Sequence, residues 1–260
     1  FAPRGQSGII MSELLPHLAT VADDLTVIRS MKTTTNVHDP GVNMMNCGTQ
    51  LFGRPTLGAW LSYGLGSENN NLPGYVVLTS GSDDGQPLLQ SFWGNGFLDS
   101  RHQGVPFLKG PEPVLHLTNP KVIDRNRRRQ QLDLINWMNK RHHEEVNDPE
   151  ILSRVASYEM AYRMQTSVPG VVNFDAETEA TKKLYGFDQN QTRPFGQQLL
   201  AARRFVERGV RFIQIMHGAG AAGAWDQHSN LKAKHTDLAM QVDRPIAGLL
   251  KDLKSRGLLD

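Results

Sequence analysis

The stretch that decides the fold is Arg208-Gly-Val-Arg-Phe-Ile-Gln-Ile-Met-His-Gly-Ala-Gly-Ala-Ala-Gly-Ala-Trp-Asp-Gln-His228. Val210, Phe212, Ile213, Ile215 and Met216 form a short, mostly apolar run between Gly209 and a glycine-rich loop. A short continuous apolar run of this kind is how a buried strand of a parallel sheet reads. Phe195 to Arg208, just before it, has helical spacing, and Gly209 stands where a left-handed helix cap is wanted. Helix, turn, buried strand and then a loop ending in Asp226 and His228 place polar groups just past the carboxyl end of a strand. In open α/β sheets that edge is where ligands bind. A carboxylate and an imidazole in one loop are what a zinc-like or other divalent ion takes from a single segment, so Asp226 and His228 are candidate metal ligands. A plainer role is also open, with Asp226 capping the next helix and His228 on its first turn. His217 ends the strand and can reach the same loop, whereas His235 and Asp237 fall on a solvated helix face.

Outward from that stretch, composition narrows the class. The chain has 260 residues, 39% hydrophobic and 21% charged, with a formal net charge of +2. That is enough to bury a sizeable core, and it carries no global pull toward nucleic acid. No apolar run approaches the ~18 residues that would cross a bilayer. Cys47 is the only cysteine, so no internal disulfide forms. The chain opens on Phe1 and closes on a Leu258-Leu259 pair that has the look of a strand beginning, so both edges read as cut.

Taken in order, Ser7 or Ser12 can cap a helix with apolar positions Ile10, Leu14, Leu15, Leu18 and Val21, and Leu25 to Met31 reads as a strand. Lys32 to Gly41 is a polar loop with Thr33, Thr34, Thr35, His38 and Asp39, followed by a short helix from Val42 to Cys47. Three hydroxyls, an imidazole and a carboxylate after a strand suffice for a nucleophile with its base, or for metal ligation, although such loops are common without either duty. A helix from about Pro55 to Tyr63 and a strand from Tyr75 to Thr79 follow. Residues 80–122 are a loop-rich region and 123–186 a helical insertion, with helices over Ile123 to Val146, from Pro149, and over Asp175 to Tyr185; Pro245 to Arg256 closes the chain as a helix. The basic runs Arg125-Asn-Arg-Arg-Arg129 and Lys140-Arg-His-His143 lie on a charged helix with only Trp137 near them, which is a solvated face rather than a nucleic-acid platform. Ser7 lacks the glycine spacing of a nucleophile elbow, and Gly218, Gly220 and Gly223 lack the pattern of a phosphate loop.

A set of motifs spread along the chain then acquires a common reading. They are Arg4-Gly-Gln-Ser-Gly8, Glu13-Leu-Leu-Pro-His-Leu18, Ala22-Asp-Asp-Leu-Thr-Val-Ile-Arg-Ser-Met31, His38-Asp-Pro40 and Gly53-Arg-Pro-Thr-Leu-Gly-Ala-Trp-Leu-Ser-Tyr-Gly-Leu-Gly66, then Tyr158-Glu-Met-Ala-Tyr-Arg-Met-Gln165, Ala202-Arg-Arg-Phe-Val-Glu-Arg-Gly-Val-Arg-Phe212, Trp225-Asp-Gln-His228 and Asp252-Leu-Lys-Ser-Arg-Gly-Leu-Leu-Asp260. In order and content they resemble domain-of-unknown-function family 1501 (DUF1501), sulfatase-like proteins of the alkaline phosphatase superfamily. The resemblance implies one α/β domain over 1–260, a three-layer α/β/α arrangement with a mostly parallel sheet, incomplete at both ends. It implies a metal-dependent hydrolase of sulfate or phosphate esters, with a divalent ion (Zn, Ca, Mn or Mg) and a small-molecule or glycan ester as substrate. Asp226 and His228 resemble the Asp/His pair that phosphatases of this superfamily offer to one metal, and the remaining ligands are expected before Phe1 and after Asp260.

His38-Asp-Pro40 falls where sulfatases carry Cys-x-Pro-Ser-Arg, with Gly48 matching the closing glycine. Position 38 is histidine and position 42 valine, so the formylglycine mechanism is not carried over. His38 as ligand or acid, and a threonine such as Thr35 as nucleophile, both stay open. Arg4 and Arg29 are the candidates to hold the substrate anion, since a guanidinium suits a tetrahedral oxyanion. An exported, periplasmic or secreted protein is implied, and the alternative function is a non-catalytic member that binds an anionic ligand such as a glycan, or a partner protein.

Overall fold

The computed structural model describes residues 1–80, 89–108, 113–114, 117–218 and 224–259. Its centre is a parallel sheet of three strands, β3 (Tyr75–Ser80), β4 (Val105–Phe107) and β5 (Phe212–His217), in the order β4-β3-β5. Tyr75 pairs with Phe212 and Ser80 with His217, so both long strands end at the same rim. A separate antiparallel hairpin, β1 (Ala2–Arg4) with β2 (Ile9–Met11), opens the chain.

Alternation along β3 feeds two cores. Val76 and Leu78 point to one face, where Phe205, Ala201, Val168 and Val171 cover them. Tyr75 and Val77 point to the other, against Phe92, Trp93 and Val42. Burial on both faces is why β3 reads as an unbroken apolar run. The first face is covered by α7 (Arg193–Val206) with α4 (Pro149–Ser167) and α5 (Pro169–Val172); the second carries α1 (His38–Cys47) and α2 (Leu57–Leu65). Helices thus flank both faces of a parallel sheet, as expected. At the turn from α7 into β5, Gly209 has φ 74°, the left-handed value that the sequence required there.

α3 (Arg125–Val146) and α4 pack together, Asp148 capping α4 by accepting the Glu150 N–H, as the Asp-Pro-Glu signal predicts. α6 (Glu179–Leu184) is shorter than expected, with Thr178 at its N-cap. α8 (Leu231–Ser255) is much longer: it begins far upstream of Pro245 and runs through it. Pro245 removes one hydrogen bond to the preceding turn, and its burial against α8's neighbours holds the helix continuous.

Two expectations near the N-terminus fail. Residues 10–21 are not one helix but β2 and a 3-10 helix (Leu18–Asp24). Pro16 interrupts the first turn, and the buried Asp243 carboxylate of α8 takes the His17 and Leu18 N–H groups at 2.8 and 2.7 Å. Leu25 to Met31 is not a strand; it is irregular, with Val27, Ile28 and Met31 all more than half exposed. A strand needs a neighbour to receive its backbone hydrogen bonds, and none of the described strands pairs with it.

Candidate functional site

His38 opens α1 rather than lying in the loop before it. Pro40 is tolerated in the first turn, where its missing N–H has no partner to lose. The loop ahead is organised by its own threonines: Thr33 Oγ1 accepts the Thr35 N–H at 3.3 Å, Thr35 Oγ1 accepts the Val37 N–H at 3.1 Å, and Thr34 Oγ1 accepts from Gln50. α1 is then seated on the sheet, with Val42 in the core and Asn46 Oδ1 accepting from Gln214 of β5 at 3.0 Å.

That seating brings His38 to the loop after β5. His38 Nε2 lies 3.1 Å from Asp226 Oδ2, and His228 Nε2 lies 2.8 Å from the same oxygen. One carboxylate oxygen therefore joins two imidazoles drawn from distant parts of the chain. The cluster is open to solvent: the side chains of His38, Asp226 and His228 are 43%, 31% and 85% exposed. The hydrogen bond from His228 holds the Asp226 carboxyl below its ordinary 3.8, and His38 adds to the effect. The first turn of α1, with its unpaired N–H groups and positive end, also favours an anion beside it. Behind the cluster, Trp225 Nε1 donates to His217 Nδ1 at 3.0 Å, and the His217 ring packs edge-on against Phe195 of α7. His217 thus reaches the same loop, as its place at the strand end indicates.

The donor chemistry suits a divalent ion: two imidazole nitrogens and a carboxylate oxygen. Ligands around a tetrahedral zinc ion, with bonds near 2 Å, lie about 3.3 Å apart, and the observed separations are a few tenths shorter. As they stand, both nitrogens address the carboxylate, and no group of three or more His, Cys, Asp or Glu among the described residues is arranged to hold an ion. Ligation by either imidazole would require its Nε2 to be free of a proton, with the ring's one proton on Nδ1, while Asp226 stays ionised. Asp39, next to His38 on α1, has one carboxylate oxygen enclosed with no hydrogen-bond partner among the described residues. This is an acceptor that the sequence offered only as part of a polar loop; the signal for it was its place in the first helical turn.

The other candidates lie apart from the cluster. No described base is hydrogen-bonded to the Thr35 hydroxyl, which is engaged as an acceptor in its own turn. Arg4 ends β1 in a hairpin whose turn is held by Asp23, and the adjoining Asp24 pairs with Lys254 at 2.5 Å. Lys254 is in the last turn of α8, a helix of 25 residues or roughly 37 Å, and His228 precedes its first turn. Arg4 is therefore at the far end of α8 from Asp226. Arg29 is exposed in the irregular 25–31 segment, with no hydrogen bond or ion pair among the described residues. Of the three glycines in the loop after β5, Gly220 and Gly223 lie outside the described residues. A mostly apolar cavity of about 300 Å³ opens between α7 and the sheet, lined by Leu78, Phe107, Val172, Phe174, Gln198 and Phe205, and none of the site candidates lines it.

Fold and site define a class: a parallel α/β protein with an Asp/His cluster at the carboxyl rim of its sheet. The chain belongs to the family described as Protein of unknown function (DUF1501), whose model matches residues 1–260. No curated protein and no solved structure matches it.

Proposed function

We propose that the protein is a metal-assisted hydrolase of sulfate or phosphate esters, with its centre at His38, Asp226 and His228. One observation carries the reading: imidazoles from the start of α1 and from the loop after β5 meet on a single carboxylate oxygen, at the rim where open α/β sheets bind ligands. Asp226 and His228 would hold the ion, with His38 beside them. A bound divalent ion would polarise the ester oxygen and lower the pKa of a water. Within the chain, Asp226 fixes the orientation of the His38 ring and favours its tautomer protonated at Nε2, whereas His228, as a ligand, would carry its proton on Nδ1 and offer Nε2 to the ion. His38, at the positive end of α1 and half exposed, is placed to hold a proton at Nε2 and pass it to a departing oxygen. The alkaline-phosphatase-like arrangement of the sheet and export from the cytoplasm belong to the same proposal.

The test is hydrolysis of aryl phosphates and aryl sulfates by the purified chain with added zinc, manganese or calcium. Turnover is expected, and Asp226→Ala and His38→Ala are each expected to lower kcat/KM by a factor of a hundred or more (roughly 3 kcal/mol). Turnover that Asp226→Ala leaves unchanged would overturn the assignment. Binding of a sulfated glycan with no turnover under any of the three metals would move the reading to the non-catalytic alternative.

A further inference from the structure

Helix α3 is anchored along one side, where Leu132 is its buried residue and α4 its main neighbour. At about 100° per residue, the opposite side carries Arg127, Leu134, Trp137, Met138, Arg141 and Glu145 in a single stripe. Leu134, Trp137 and Met138 are 58%, 56% and 56% exposed. The Arg141 guanidinium stacks over the Trp137 ring at 5.4 Å. Exposed Trp, Met and Arg in one patch is the composition of a protein interface rather than of a solvated face.

We propose that this stripe is the contact between two copies of the chain, packed antiparallel about a two-fold axis at the level of position 136. The charge pattern selects that arrangement. The amino-terminal turns of α3 carry Arg127 and Arg128, which the axis sets opposite Glu145 and Glu144 of the last turn; Lys140 and Arg141, nearer the middle, fall opposite the uncharged Leu132 and Gln131. Among the described residues, no ion pair engages Arg127, Glu144 or Glu145. A two-fold axis at that level sets Arg127 of one copy opposite Glu145 of the other, and Leu134 opposite Met138. The Arg and Glu ends meet twice, because a two-fold contact repeats every pair. Parallel packing instead sets each arginine against itself. An anionic membrane as occupant is disfavoured, because Asp133, Glu144 and Glu145 border the same stripe.

From Arg127 to Glu145 the stripe is about 27 Å long, which makes a contact at the small end of stable interfaces, so the dimer is concentration-dependent. Sedimentation velocity of the full chain over a wide concentration range is expected to show a monomer–dimer equilibrium. Trp137→Glu is expected to abolish it with an unchanged circular dichroism spectrum. Arg127→Glu and Glu145→Arg are each expected to weaken it about tenfold, since the pair occurs twice, and the double variant is expected to restore it. A monomer at every concentration, a dimer indifferent to Trp137→Glu, or a double variant weaker than either single one would each overturn the proposal. Binding of the monomer to phosphatidylserine vesicles, lost in Trp137→Glu, would overturn it in favour of a membrane.

Discussion

Arg203 is 3% exposed, yet three carboxylates surround it: Glu177 at 2.7 Å, Glu207 at 2.7 Å and Asp252 at 3.1 Å. It ties α7 to α8 and to the segment before α6, and so fixes the helix layer on which β5 and His217 rest. Burial alone would depress the guanidinium, but Glu177 and Glu207 outweigh it and hold Arg203 above its ordinary range. Arg203→Met keeps the apolar stem and deletes the charge. Breaking a buried ion pair from one side costs about 3–5 kcal/mol, because the partners are left uncompensated. Here the lower end applies. Asp252 keeps Arg256 at 2.7 Å and the Tyr185 hydroxyl at 2.9 Å, and Glu207 keeps Arg256 at 2.9 Å, while among the described residues Glu177 retains only Arg204 at 3.5 Å. A loss of ~3 kcal/mol corresponds to a Tm about 6–12 °C lower for a chain of this size. Scanning calorimetry and urea unfolding measure it. Adding Glu177→Gln removes the carboxylate left least compensated, and the double variant is expected to be more stable than the sum of the two single losses by about 1 kcal/mol. If Arg203→Met melts within a degree of the parent, or the two losses simply add, the network is not holding the helix layer.

Two further outcomes follow from the packing and the site. Gly248 lies inside α8, where alanine ordinarily stabilises a helix by about 1 kcal/mol; here a Cβ would sit 2.5 Å from the Leu184 carbonyl oxygen, so Gly248→Ala is expected to lower Tm, and a raised Tm would refute the close approach of α8 to α6. The folded Asp226 carboxyl titrates below its ordinary value, so its contacts with the two imidazoles are complete above that value and are lost only as pH falls through the lower folded one. An NMR titration of the Asp226 carboxyl carbon is expected to give a midpoint below 3.8, and one at or above 3.8 would show that the contacts do not persist in solution.

The parts of the fold that were legible are those in which local chemistry and tertiary packing agree. β3, β5 and α7 announce themselves by apolar runs or by periodicity, and packing uses the same side chains that make the pattern; in α3 packing uses only Leu132 of the apolar positions and leaves Met138 exposed. Where they disagree, packing wins. Leu25 to Met31 has strand composition, but composition supplies no neighbouring strand, and a lone strand leaves its N–H and C=O groups to water. The upstream half of α8 lacks a strong start signal, since Asn230 sits in a left-handed conformation without capping and Pro245 argues for a break. Burial of Leu238, Ala239 and Val242 provides what the local signals do not.

The candidate site was legible in halves. Asp226 and His228 follow a strand that glycine and apolar spacing make unmistakable, so their place at the sheet rim is dictated by local sequence. His38 is fixed by something local sequence does not contain: the depth at which α1 lies on the sheet, set by Val42 in the core and by Asn46 gripping Gln214. The arginines show the converse. Arg4 has the right chemistry for an anion, but the Asp23 and Asp24 contacts draw its hairpin to the end of α8 away from Asp226. Residue type proposes a role, while distance decides it, and here the deciding distances come from polar anchors between elements far apart in the chain. Asn46 is therefore as informative a position as His38: loosening its grip on Gln214 would let α1 drift and part His38 from Asp226 without touching either side chain.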